Sequence, residues 1–162
     1  MTRYLAIFVA PFAALGIRIE QERLTGIDFL PPDTPALAPQ TPSAQQVCTQ
    51  LATYLADPTF IFDLPLATSG TPFRRRVWQA LCEIPPGHPL SYGELAQRLG
   101  SAPRAVGQAC GANPLPIVVP CHRVVAKNGL GGFMNHSAGD PLAIKRWLLH
   151  HERSDHGHKR PA

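Results

Sequence analysis

SYGELAQRLGSAPRAVGQACGAN, Ser91 to Asn113, reads as two short helices joined by a tight turn. Ser91 can cap the first, and Glu94 three residues later completes a capping box. Ser101-Ala102-Pro103 turns the chain, and RAVGQACGAN forms a second helix ended by Pro114. This is a helix-turn-helix pattern, so the second helix is a candidate recognition helix. Its composition is unusual: Ala105, Gly107, Ala109, Gly111 and Ala112 make it thin. A glycine inside a helix costs about 1 kcal/mol relative to alanine, so two of them need a reason. Close packing against a neighbouring helix would be one. Close approach to a nucleic-acid backbone would be another. With only Arg104 at its start and Gln108 within it, the helix suits a minor groove with little base readout better than a major groove.

Upstream, Thr71 caps and Pro72 opens a helix, PFRRRVWQALCEI, with Phe73, Val77, Trp78 and Leu81 on one side. It stops at Pro85-Pro86-Gly87. Further back, RYLAIFVA, AALGIRIE and LTGIDFL predict three short strands of an antiparallel meander. A proline-rich connection, Pro31 to Pro42, leads to a helix capped by Ser43, with Val47, Leu51, Tyr54 and Leu55 sharing a face. TFIFDL predicts a further strand. Downstream, PIVVPCHRVV predicts a strand, KNGLGG a hairpin-like turn, FMNHSAGD a loop, and Asp140-Pro141 the start of a helix ending near Glu152. The fold class expected is α+β. A small α/β domain with an antiparallel sheet (1–66) precedes a mainly helical, winged helix-turn-helix-like domain (67–152) and a flexible tail (153–162).

The 162 residues are 44% hydrophobic and 16% charged, a globular balance. A net charge of +4 permits an anionic partner without demanding one. No run approaches the roughly 18 apolar residues of a membrane span. The apolar patch after Arg3 lacks a cleavage site and reads as strands, so no membrane partner and a cytoplasmic protein are expected. Cys48, Cys82, Cys110 and Cys121 form no CxxC pair and are expected as free thiols. The histidines at 136, 150, 151, 156 and 158 match no zinc spacing, so no metal is expected.

PIVVPCHRVV, Pro116 to Val125, places a thiol, an imidazole and a guanidinium in an apolar run. A thiol is a nucleophile only as thiolate, which needs a base or a positive charge nearby. His122 follows Cys121, Arg123 adds charge, and Glu152 could hold the second ring nitrogen of His122. Proline before Cys121 would hold its backbone in an extended path. A Cys–His dipeptide alone is common and carries little weight.

The set is more specific. GTPFRRRVW, SYGELA and RAVGQACGANPLPIVVPCHRVV, in that order, resemble the O6-alkylguanine-DNA alkyltransferases, the methylated-DNA–protein-cysteine methyltransferases. The match covers about residues 68 to 152, without a gap from Tyr92 to Val125. The first 66 residues resemble the family's variable, ribonuclease H-like N-terminal domain only in element order and size.

The resemblance implies a single-turnover reaction without a cofactor. A monomer would bind double-stranded DNA in the minor groove and flip out an alkylated guanine, with O4-alkylthymine a second candidate substrate. Cys121 would be the alkyl acceptor, His122 its water-linked base and Glu152 the residue orienting His122. Tyr92 would crowd the target phosphate and protonate the leaving guanine. Arg104 would fill the gap left by the base, and Ala105, Gly107, Gln108 and Gly111 would lie along the groove. Asn113 would brace the turn before the active-site strand, main-chain carbonyls at Cys121 and Val124 would accept the guanine amine, and Lys145 would sit near Tyr92.

The pocket loop departs from the family. Members commonly carry GGY or GNY and a short continuation; here GGFMNHSAGDP is longer, with Phe133 for tyrosine and Met134 beside it. A lost hydroxyl removes one hydrogen bond, about 0.5–1.5 kcal/mol net. Three other readings compete. A damage-recognition module of this family would have the acceptor cysteine replaced, and Cys121 is present. A thiol hydrolase lacks an oxyanion-hole element, and a plain helix-turn-helix regulator leaves the Cys–His–Glu set unexplained.

Overall fold

The computed structural model describes residues 3–133 and 140–159, the last six by backbone alone. Contacts divide the chain into two compact units, the first built on residues up to Thr68 together with Asp140, and the second on the remaining residues from Ser69 onward. Their architecture is α+β.

In the first unit, β1 (Ala6–Ala10), β2 (Ala13–Glu20) and β3 (Arg23–Leu30) form an antiparallel meander in the order predicted. Ala10 pairs Ala13 across the first turn, and Glu20 pairs Arg23 across the second. Gln21 and Glu22 both have positive φ, 51° and 62°, the conformation a two-residue hairpin loop demands, here without glycine. Helix α1 (Pro42–Ala56) buries Ala44, Val47, Leu51 and Tyr54; Leu55 is half-buried. Its cap is Thr41, whose hydroxyl accepts from the Ala44 amide, and not Ser43, because Pro42 already lies in the first turn. TFIFDL is not a strand. Its alternation is real, since Phe60 and Phe62 turn inward and Phe62 packs on Tyr54 while Ile61 is exposed. However, Gln50 occupies the Asp63 backbone by accepting from its N–H and donating to its C=O. Pairing with β3 is left to the Leu24–Leu66 bridge.

The second unit is helical. Thr71 caps α2 (Pro72–Cys82), which buries Val77 and Leu81. The short β4 (Leu90–Ser91) leads into α3 (Tyr92–Leu99), where Ser91 and Glu94 form the predicted capping box and Gly100 (φ 63°) closes the helix. Helix α4 (Pro103–Gly111) follows and buries Val106, Ala109 and Cys110. The predicted active-site strand is instead a 3₁₀ turn, Cys121–Arg123, leading into β5 (Val124–Val125), which runs parallel to β4. Proline explains this. Pro120 adopts φ −82°, ψ 70° and the Cys121 N–H bonds back to the Val119 carbonyl at 2.8 Å, an inverse γ-turn and not an extended path. The last helix, α5 (Pro141–Lys159), passes the predicted end at Glu152, since no proline intervenes before Pro161.

Candidate active site

The site is built on the joint between α4 and the 3₁₀ turn. Asn113 Nδ2 donates to the Val119 carbonyl at 2.8 Å, and its Oδ1 accepts from the Leu115 N–H at 2.9 Å. One buried side chain thus closes the Pro114-to-Val119 loop, in which Ile117 has φ 76°. That loop delivers Cys121 to the floor of a cavity of about 440 Å³, within the range of small-molecule sites. Tyr92, Arg104, Gly107, Cys110, Gly111 and Phe133 line the rest, together with Pro103 and Gly132.

Behind the cavity lies a buried charge cluster. His122 Nε2 is 2.7 Å from Glu152 Oε2. Arg123 reaches the same carboxylate through Nε and Nη2, each at 3.0 Å, and donates Nη1 to the Ile84 carbonyl at 2.7 Å. Burial alone would raise the Glu152 pKa, but His122 and Arg123 more than reverse it and hold it near 2. Burial pushes His122 below its ordinary value, against the opposing pull of Glu152. A neutral His122 facing a carboxylate must donate Nε2–H, which leaves its lone pair on Nδ1. Nδ1 is buried and has no hydrogen-bond partner among the described residues. The charge of Arg123 is therefore directed at Glu152 and not at the thiol, contrary to the sequence expectation.

Cys121 is 3% exposed, and burial pushes its thiol up to about 11. A hydrogen bond from Asn113 and the Lys145 cation oppose that rise. Lys145 is fully buried and brought down to about 8 by desolvation. Its Nζ donates to the Leu130 carbonyl and, at 2.7 Å, to the Gly132 carbonyl, and lies 5.7 Å from the centre of the Tyr92 ring. Tyr92 donates to the same Gly132 carbonyl at 3.3 Å, and burial together with nearby Cys110 and Cys121 raises its phenol to about 12. The phenol therefore stays in its protonated form.

The predicted residues thus fall into three groups. Cys121, Tyr92, Arg104, Gly107, Gly111 and Phe133 face the cavity, while Asn113, His122, Lys145 and Glu152 support it from behind. Ala105 and Gln108 lie on α4 outside the cavity lining, half-buried and exposed respectively, and Val124 is fully buried. Met134, with the loop through Gly139, lies outside the described residues. Sequence reasoning missed Cys110, which shares the α4 face of Gly107 one turn on; helical spacing could have found it. It also missed that Arg123 braces Glu152, for which the sequence carries no signal. The thin face of α4 is not explained by helix packing at Gly107, where a Cβ would meet only the Tyr92 ring at 3.9 Å.

A family model described as "6-O-methylguanine DNA methyltransferase, DNA binding domain" matches residues 72–154. The methylated-DNA–protein-cysteine methyltransferase of Salmonella typhimurium is 53% identical over 107 residues, 64% of this chain and 60% of that protein. The chain therefore aligns with less than two thirds of that relative's length. The protein of the same description from Methanosarcina acetivorans is 37% identical over 158 residues, 93% of this chain and 99% of that one. Among solved structures, Mycobacterium tuberculosis OGT in complex with DNA superposes with a TM-score of 0.77 at 37% identity, covering 91% of each chain. With cavity, thiol and buried cluster in place, the chain belongs to the 6-O-methylguanine DNA methyltransferase family.

Proposed function

We propose that this protein repairs alkylated DNA by direct reversal, moving the alkyl group from O6 of guanine to Cys121. The observation that carries the reading is the placement of the Cys121 thiol at the floor of a cavity walled by α4 and Tyr92, with the His122–Glu152–Arg123 cluster behind it. In a duplex the O-alkyl carbon is stacked and out of reach, so the nucleotide is turned out at a cost of a few kcal/mol. Arg104, exposed at the start of α4, takes the place of the base. The small residues of α4 let the helix approach the minor groove closely.

In the cavity the Cys121 sulfur attacks the alkyl carbon. The S–C bond forms as the C–O6 bond breaks, and the electron pair leaves with guanine. The thiol proton passes through a bridging water to His122 Nδ1, whose ring Glu152 and Arg123 fix. Tyr92 supplies a proton to the leaving base. Because a thioether does not hydrolyse, each molecule, acting as a monomer, reacts once and needs no cofactor. The division of labour we propose leaves DNA binding and transfer to residues 67–152, with residues 1–66 as a separate ribonuclease H-like domain.

Intact-protein mass after mixing with a duplex carrying one O6-methylguanine tests this, with Cys121→Ser alongside. One added methylene mass on the wild type, absent from the variant, is expected. Tight lesion binding without any mass change would instead favour a damage-recognition module.

A further inference from the structure

Helix α2 meets both helices of the helix-turn-helix at the same kind of place. Trp78 Nε1 donates to the Ala109 carbonyl at 2.8 Å, in the last turn of α4. Arg76 Nη2 donates to the carbonyl of Leu99, the last residue of α3, at 2.9 Å. Carbonyls in a final helical turn lack the usual intrahelical partner and must find one elsewhere. The α3 cap, Gly100, bonds back to Ala96 and Gln97 and leaves Leu99 out. At Ala109 the main-chain bond from Ala112 is long, 3.3 Å. The indole is itself seated: Gly70 lies against it at φ +81°, where a Cβ would come within 2.6 Å of the ring, and Arg75 donates to the Gly70 carbonyl at 2.7 Å. At the other end, Arg123 holds the Ile84 carbonyl just past α2. Neither Arg76 nor Trp78 lines the cavity.

We propose that α2 is a clamp, in which Trp78 and Arg76 are positioning residues that set α4, and with it Arg104 and Gly107, at the angle the duplex requires. The proposal rests on the reading of α4 as the DNA-contacting helix. The floor of the pocket has a second brace besides the clamp, because Asn113 ties the Cys121 loop through its own bonds to Val119 and Leu115. Loss of the clamp should therefore weaken reaction with a duplex far more than reaction with a free base.

The test uses Trp78→Phe, which keeps the apolar bulk and removes the donor, and Arg76→Met, which keeps the stem. Duplex affinity is read by fluorescence anisotropy. Single-turnover transfer is measured from an O6-methylguanine duplex and from the free base O6-methylguanine. Trp78→Phe should weaken both duplex readings by about three- to tenfold, the range of one net hydrogen bond, and leave free-base transfer within about twofold. Arg76→Met should do less, because its bond is exposed to solvent, and Arg76→Lys should recover part of the loss. Unchanged duplex affinity in both variants overturns the clamp. Equal losses on duplex and free base also overturn it, since they mark a merely structural role. Arg104→Ala separates the two ideas: if it leaves affinity intact while Trp78→Phe weakens it, the contact assigned to Arg104 fails and the clamp stands.

Discussion

Glu152 serves two neighbours with one carboxylate, and the consequences can be read in pH. Its folded pKa, near 2, lies below the ordinary 4.5. The stabilisation is therefore complete above about pH 4.5 and lost as pH falls through 4.5 towards 2, amounting to about 3 kcal/mol. His122, pushed down by burial, acts in the same direction, since the unfolded chain takes up its proton first as acid is added. Urea midpoints measured from pH 7 down to pH 3 should fall steadily in the wild type. Glu152→Gln should already be weaker at pH 7 by about 3–5 kcal/mol, the cost of breaking a buried pair, and should change less with acid. Transfer should depend on pH as well. With Cys121 near 11 and Lys145 near 8, single-turnover rates should climb with pH and flatten above about pH 8, where the stabilising ammonium is lost. Gly131 leaves little room for a side chain beside the site. It holds φ +72°, and a Cβ there would lie 2.7 Å from the Tyr92 ring and 3.1 Å from the Ala126 amide nitrogen. Gly131→Ala should displace Tyr92 and slow transfer by about fivefold or more, since overpacking typically costs about 1–3 kcal/mol.

At the scale of elements, α4 trades helix stability for access. Gly107→Ala should raise the melting temperature, adding up to about 1 kcal/mol, while weakening duplex binding; a variant that gained stability and bound DNA unchanged would remove the groove explanation. What the sequence made legible follows from locality. The Ser91–Glu94 box, the Thr71–Pro72 helix start and the three strands rest on residues within a few positions of one another. TFIFDL failed because a side chain from α1, Gln50, took the backbone bonds a strand would have used, and no local pattern announces that. PIVVPC failed because an apolar run reads as a strand until Pro120 is asked where its missing N–H would go. In the site, family resemblance led to Cys121, His122 and Glu152. The second partner of Glu152 comes from Arg123, 29 positions away, and is visible only in three dimensions.

Across the whole chain, charge is unevenly divided. Residues 1–68 carry three Arg or Lys against six Asp or Glu, whereas residues 69–162 carry twelve against five. The net +4 therefore understates the half that holds the site. Duplex affinity should fall steeply as salt rises from 50 to 200 mM, with a log–log slope set by the number of phosphates neutralised. Anisotropy titrations check this, and a flat profile would place the DNA surface elsewhere. In the proposed reaction the protein acts only once, which gives the buried thiol a further meaning. Such a molecule has to last unused until a lesion arrives, and a cysteine that is 3% exposed and protonated at neutral pH reacts little with stray oxidants or electrophiles. Iodoacetamide followed by peptide mapping should therefore label the exposed Cys82 well before Cys121. The same wall that makes Cys121 a reluctant nucleophile gives the resting protein its shelf life.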